Sequence, residues 1–131
     1  MQQIKIIFFD IDGTLIDMQS KHISPRTVEA LHRLRANGIL LCIATGRAPV
    51  TLPDFGGAEF DAYLTFNGSL CYAGADTIYS RPINGADLQR LIQNAASLGR
   101  PVAAATRDRI AANGTDTDLA DYFAIANEKP D

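Results

Sequence analysis

The sequence predicts an α/β fold built on a parallel, Rossmann-like sheet. Residues 5–9 form a continuous apolar run rich in Ile and Phe, which is the pattern of a strand buried on both faces of such a sheet. A second apolar run covers residues 39–44, and a helical pattern lies between the two runs. A third strand pattern follows at residues 62–66. This order of elements implies right-handed crossovers between parallel strands.

The size, charge and cysteine content of the chain limit the classes of protein to consider. The 131 residues carry a formal net charge of -3, with acids and bases interspersed. No basic stripe is present in the sequence, so a nucleic-acid partner is not expected. Cys42 and Cys71 lack metal-site spacing and suit small core residues in a reducing compartment. The amino-terminal apolar run is too short for a signal peptide or a membrane span, so we predict a cytoplasmic protein with no membrane partner.

Local signals define the next elements in order. Residues 13–23 have the mixed polarity of a loop or flap. Ser24 and Pro25 are typical of a helix start, and Gly38 is typical of a helix end. Two short strand patterns within residues 69–81 predict a hairpin.

The character of the sequence changes near Pro82, where a second module is predicted to begin. Asn84 is placed to cap a helix, which Gly99 and Pro101 would end. The remaining predicted elements are short strands near residues 102–106 and 109–113 and a helix from about Asp118.

Polar residues follow each of the three strands predicted for the sheet. Asp10 and Asp12 end the first strand, Thr45 the second and Asn67 the third. Because the carboxyl ends of parallel strands share one edge of a sheet, we expect these side chains to converge. Mg²⁺ prefers oxygen ligands and would bring a phosphate to carboxylates that otherwise repel it. One aspartate would attack phosphorus, and the other, held protonated by its charged neighbour, would protonate the leaving group.

Three motifs carry a resemblance to a known family. FFDIDGTL at residues 8–15 resembles the first motif of the haloacid dehalogenase-like hydrolases, and IATGR at residues 43–47 resembles the second. TFNG at residues 65–68, with the Ser-Pro helix start and the hairpin, is similar to the Cof-type sugar-phosphatase branch. The resemblance implies a core with an α+β cap domain inserted into it. Residues 1–82 would be the amino-terminal part of the core, including the hairpin, and residues 83–131 the beginning of the cap.

The resemblance also implies a role for each residue of these motifs. Asp10 would be the nucleophile and a ligand of Mg²⁺. Asp12 would be the general acid and base, and its backbone carbonyl would be a second Mg²⁺ ligand. Thr45 and the amide of Gly46 would bind the transferring phosphoryl group. Contact with the substrate, or ordering of the pocket, is implied for Arg47, Asn67 and Gly68.

Two parts of the family's catalytic set have no counterpart in the sequence. The family uses a later lysine and a Gly-Asp-x-x-Asn-Asp-like segment, whose acids complete the Mg²⁺ site. Lys5, Lys21 and Lys129 stand in other contexts, and Asp116 and Asp118 fit a solvated loop. We therefore expect an amino-terminal fragment of a longer hydrolase. An uncovered sheet edge and apolar faces predict self-association, partial disorder or completion by another chain.

The leading functional prediction is an Mg²⁺-dependent phosphatase that acts on small phosphorylated metabolites of the sugar-phosphate class. Its reaction would pass through an aspartyl-phosphate at Asp10. One alternative is a non-catalytic fragment or binding module that needs another chain for completion. A second alternative is a phosphotransferase or mutase with the same aspartate, which would transfer the phosphoryl group to a sugar hydroxyl instead of water.

Overall fold

A five-stranded sheet organises the first part of the chain, of which the computed structural model describes residues 3–125. The strands are β1 (Ile6–Phe9), β2 (Leu40–Ala44), β3 (Ala62–Thr65), β4 (Leu70–Ala73) and β5 (Asp76–Ser80). They lie side by side in chain order. Strands β1 to β3 are parallel, and β4 and β5 continue the sheet as an antiparallel hairpin. The predicted α/β class with a Rossmann-like parallel core is confirmed.

Helix α1 (Pro25–Ala36) forms the crossover between β1 and β2. The hydroxyl of Ser24 accepts a hydrogen bond from the amide of Thr27 at 3.1 Å, so it satisfies a donor that the helix itself leaves unpaired. Leu31 on the inner face of the helix is buried in the same cluster as the central residues of β2. Burial of this apolar face stabilises the crossover and thereby fixes β2 beside β1.

An apolar cluster supports the parallel strands. Its buried members are Ile11, Leu15, Ile16, Leu31, Leu41, Ile43, Phe55 and Phe60. Asp61 ties the chain before β3 to β2, because its carboxylate accepts the amide of Leu41 at 2.9 Å. The same carboxylate pairs with Arg35 near the end of α1 at 3.3 Å. Packing and these polar contacts together set the relative positions of the three parallel strands.

The chain divides into two compact units. The first contains residues up to Arg47 together with Leu52–Arg81, and the second contains Ala48–Thr51 together with the residues from Pro82 onward. The second unit comprises α2 (Gly85–Ser97), β6 (Ala103–Ala105), β7 (Ile110–Ala112) and α3 (Thr117–Ile125), with β6 and β7 antiparallel. Asn84 caps α2, since its side chain accepts the amide of Asp87 at 2.8 Å. Lys129 lies outside the described residues.

The prediction that the first strand is buried on both faces is wrong. Ile6 and Phe8 are 43% and 52% exposed, and Leu40, which pairs with Ile6, is 50% exposed. Alternate residues of β1 point to opposite faces, so these side chains share one face of the sheet. Strand β1 is an edge strand within residues 3–125, and that part of the chain leaves this apolar face open to solvent.

The described helices include none with the length and apolar character needed to cross a membrane.

Candidate active site

The carboxyl ends of β1, β2 and β3 enclose a cavity of about 300 Å³. Its lining residues are Asp10, Ala44, Thr45, Gly46, Leu64, Asn67 and Gly68. Five of these were expected at a phosphate site from the sequence, and they come from three segments of the chain. Parallel pairing of β1 with β2 and of β2 with β3 brings the segments to one edge. The cavity is therefore a product of sheet topology.

Thr45 connects the second strand end to the third. Its amide donates to the carbonyl of Leu64 at 2.9 Å, and its carbonyl accepts the amide of Asn67 at 3.0 Å. Its hydroxyl oxygen accepts the amide of Arg47 at 3.1 Å, and the residue is only 6% exposed. A hydroxyl both donates and accepts, so this contact leaves its proton available to an anion in the cavity.

The turn after β3 holds three consecutive residues in left-handed backbone conformations. The φ angles are +49° at Phe66, +55° at Asn67 and +89° at Gly68. This conformation is unusual for a bulky residue such as phenylalanine and costs of order 1–3 kcal/mol. The amide of Phe66 donates to the carbonyl of Arg47 at 3.1 Å, which helps to hold the turn against the end of β2. The turn held in this way places Asn67 at the cavity.

Asp12 and Arg47 form a bidentate ion pair at the same strand ends. Nε of Arg47 donates to Oδ2 of Asp12 at 2.9 Å, and Nη2 donates to Oδ1 at 2.8 Å. These hydrogen bonds and the charge of Arg47 lower the pKa of Asp12, although burial acts in the opposite direction. The expectation that Asp12 would be held protonated is wrong for this arrangement, because the guanidinium stabilises the carboxylate.

Asp10 lines the cavity, and its carboxylate has no partner among the described residues. The residue is exposed, and its side chain makes no hydrogen bond or ion pair within residues 3–125. The same residues contain no group of three or more His, Cys, Asp or Glu side chains that would hold a metal ion. The oxygen donors at hand are those of Asp10 and Asp12, which suit a hard cation and supply only part of its coordination shell.

The loop between β1 and α1 contains a feature that the sequence interpretation missed. Residues 13–20, 22–25 and 27 line a second cavity of about 760 Å³. Asp17 orders its rim, because one carboxylate oxygen accepts the amides of Gln19 and Ser20 at 3.0 and 2.7 Å. These bonds lower the pKa of Asp17. An aspartate that bonds backbone amides two and three residues later is a known turn signal, which makes this rim recognisable from sequence.

Comparison with known protein families identifies the family of this chain. The family model of the haloacid dehalogenase-like hydrolases matches residues 7–130. The chain belongs to the haloacid dehalogenase-like hydrolases, and within them to the Cof-type branch that the motifs indicated.

Two curated relatives are similar over much of the chain. The putative phosphatase YkrA of Bacillus subtilis is 30% identical over 113 residues, which are 86% of this chain and 44% of the relative. The HMP-PP phosphatase of Shigella flexneri is 36% identical over 90 residues, which are 67% of this chain and 33% of the relative. The chain thus spans less than half the length of these two relatives.

A solved structure shares the fold. The sugar phosphatase BT4131, of subclass IIB of the same superfamily, superposes with a TM-score of 0.83 at 26% sequence identity. The match covers 95% of this chain and 50% of BT4131.

Proposed function

We propose that this chain supplies the nucleophile and the phosphoryl-binding part of a phosphatase site. The site would be Mg²⁺-dependent and would act on small phosphorylated metabolites of the sugar-phosphate class. The catalytic residues would be Asp10 and Asp12, and the substrate- or phosphate-binding residues would be Thr45, Gly46, Arg47, Asn67 and Gly68. We assign residues 1–82 to the core and residues 83–131 to the beginning of the cap. A boundary between the two compact units lies between Arg81 and Pro82, which supports this assignment.

The main support for the proposal is the composition of the cavity. Its lining includes Asp10, an exposed residue with no described partner, and residues at the ends of β2 and β3. Thr45 and Gly46 belong to the second strand end, and Asn67 and Gly68 to the turn after β3. An anionic ligand at this place would find a hydroxyl, an amide side chain and backbone N–H groups. The names of the relatives, a sugar phosphatase and an HMP-PP phosphatase, support phosphorylated small molecules as substrates.

Asp10 is the group suited to attack phosphorus. Its side chain makes no hydrogen bond or ion pair with any described residue. In the first step an Oδ–P bond forms at Asp10 while the bond from phosphorus to the ester oxygen breaks. In the second step water attacks phosphorus, the Oδ–P bond breaks and inorganic phosphate leaves. Asp10 is thereby regenerated.

Asp12 is the group suited to move the protons. The Arg47 pair favours its carboxylate form, which removes a proton from the attacking water in the second step. In the first step the departing alkoxide needs a proton, which Asp12 supplies only after it has taken one up. The cost of that uptake is set by Arg47, so the two residues must be considered together.

The cation fits the donors that the chain presents, namely the Asp10 carboxylate and oxygen atoms of Asp12. When bound, Mg²⁺ supplies the positive charge that allows a phosphate dianion to approach a carboxylate. We also propose that the protein works in the reducing cytoplasm, in support of which Cys42 and Cys71 are both free thiols.

Hydrolysis of p-nitrophenyl phosphate by the 131-residue chain, with Mg²⁺ or with EDTA, tests the function. We expect turnover that depends on Mg²⁺ and is abolished in Asp10→Asn. Asp76→Asn, at an exposed position of β5, is the matched control and should retain the activity. Turnover that Asp10→Asn retains would contradict the assignment. No turnover in any variant would favour the alternative of a non-catalytic chain that needs completion.

A further inference from the structure

Arg47 makes two hydrogen bonds to Asp12, which the binding of phosphate by Arg47 would not require. Nε and Nη2 each reach a different carboxylate oxygen, at 2.9 and 2.8 Å. A planar fork of this kind fixes both the position and the plane of the carboxylate, which a single hydrogen bond does not. The Arg47 side chain is 11% exposed, compared with 35% for Asp12. Arg47 is therefore the more buried partner of the pair, and Asp12 is more accessible to solvent.

The backbone of Arg47 is fixed as well. Its amide donates to the hydroxyl oxygen of Thr45 at 3.1 Å, and its carbonyl accepts the amide of Phe66 at 3.1 Å. The residues that line the cavity within the described chain include Thr45 and Gly46 and do not include Arg47. The backbone of Arg47 is thus anchored at both strand ends, and its guanidinium contacts Asp12.

We propose that Arg47 is a positioning residue, which fixes the carboxylate of Asp12 for proton transfer and is not itself the main holder of the phosphoryl group. The inference rests on the proposed phosphatase function, because proton transfer by Asp12 belongs to that reaction. It changes the role of one residue in the site. Thr45, Gly46 and the turn at Asn67 remain the phosphate-binding groups, and Arg47 acts through Asp12.

The first measurement needs no turnover. In the isotope-labelled 131-residue chain, three-bond NMR couplings report the χ1 rotamer of Asp12. We expect one rotamer in the wild-type chain and rotamer averaging in Arg47→Gln. Arg26→Gln, on the exposed first turn of α1, is the matched control and should leave the Asp12 couplings unchanged. Arg47→Lys keeps the charge without the fork and is measured alongside, in case Arg47→Gln does not fold. A single Asp12 rotamer in the folded Arg47 variants would overturn the proposal.

The second measurement separates positioning from phosphate binding. Inorganic phosphate is titrated in the presence of Mg²⁺ into Arg47→Gln and Thr45→Val. If Arg47 is a positioning residue, the affinity for phosphate should fall less in Arg47→Gln than in Thr45→Val. An equal or larger loss in Arg47→Gln would make Arg47 a phosphate ligand and contradict the inference.

The third measurement uses the leaving group. An alkyl ester such as glucose 6-phosphate needs a proton on its departing oxygen, whereas 2,4-dinitrophenyl phosphate needs little help. We expect Arg47→Lys to lower kcat on the alkyl ester about tenfold more than on the aryl ester, because small displacements of a catalytic group cost large rate factors. Equal losses on both esters would overturn the inference while leaving the phosphatase function intact. Absence of Asp10-dependent turnover on either ester would count against the function, and the couplings of Asp12 would still decide the role of Arg47.

Discussion

Gly46 shows how closely packed the cavity is at the level of single atoms. A Cβ atom added to this residue would lie 3.1 Å from Oδ1 and 3.5 Å from Nδ2 of Asn67. The backbone of Gly46 is outside the left-handed region, so the constraint is the nearby amide and not the φ angle. Glycine at this position allows Asn67 to lie directly against the second strand end.

We predict that Gly46→Ala displaces the Asn67 amide and weakens the binding of inorganic phosphate with Mg²⁺ by a few-fold. Only the flexible end of one side chain must move, so we expect a loss of unfolding free energy under about 1 kcal/mol. Phosphate titration and urea unfolding measure the two effects. Gly85→Ala is the matched control, because its added Cβ meets no atom within 4 Å. Unchanged phosphate affinity in Gly46→Ala would exclude a binding role for this contact.

We predict that Asp17 titrates below the usual range of aspartate. Hydrogen bonds from the amides of Ser20 and Gln19 lower its folded-state pKa below the unfolded-state value. These bonds therefore stabilise the loop fully above the unfolded-state pKa, and the stabilisation is lost as the pH falls through the folded-state pKa. The amide proton shift of Ser20 followed by NMR measures the midpoint. Asp17→Asn should remove the pH-dependent shift. A midpoint at or above the ordinary pKa of aspartate would show that the amides do not hydrogen-bond the Asp17 carboxylate.

Strand β2 is the element on which the site depends. It is paired on both sides, and Leu41, Cys42 and Ile43 are all buried. Its carboxyl end continues into Thr45 and Arg47, which contact the turn after β3. The position of this strand therefore sets the positions of both polar strand ends.

We predict that the thiol of Cys42 reacts slowly in the native chain. Burial raises its pKa, with a smaller contribution from the charge of Asp61, so that less thiolate is present at neutral pH. Cys42 is also only 2% exposed. Cys71→Ser isolates Cys42 for labelling with a thiol reagent such as DTNB, and Cys42→Ser isolates the more accessible Cys71. Equal labelling rates of the two variants before denaturation would show that β2 opens readily.

The open face of the sheet is the main feature at the scale of the whole molecule. Ile6, Phe8 and Leu40 lie on it, and strand β1 has a free edge within the described chain. Contiguous apolar surface next to an unpaired strand edge favours association. The matched segments cover only 44% and 33% of the two curated relatives.

We predict that the chain associates with itself as its concentration rises and that Phe8→Lys reduces this association. A charge on the apolar face makes its burial costly, whereas the opposite face keeps the core intact. Sedimentation velocity over a concentration series measures the effect. Leu98→Lys, at a residue that is 76% exposed, is the control for adding a charge elsewhere. Association that Leu98→Lys reduces as much as Phe8→Lys would locate the contact outside this face.

Local patterns in the sequence predicted the elements and most residues of the candidate site. Helix starts at Ser24 and Asn84 were predictable because capping depends on residues three positions apart, and strands were predictable from uninterrupted apolar runs. The meeting of Asp10, Thr45 and Asn67 followed from one topological rule for parallel strands.

The partners of these residues depend on contacts between distant segments of the chain. The contact of Asp12 with Arg47 joins positions 35 residues apart, and it reverses the expected protonation of Asp12. The left-handed backbone of Phe66 and the open face of β1 were equally invisible to local patterns. The reason is physical. Periodicity and capping are properties of one segment, whereas a pKa, a strained turn and the burial of a face depend on what other segments place beside them.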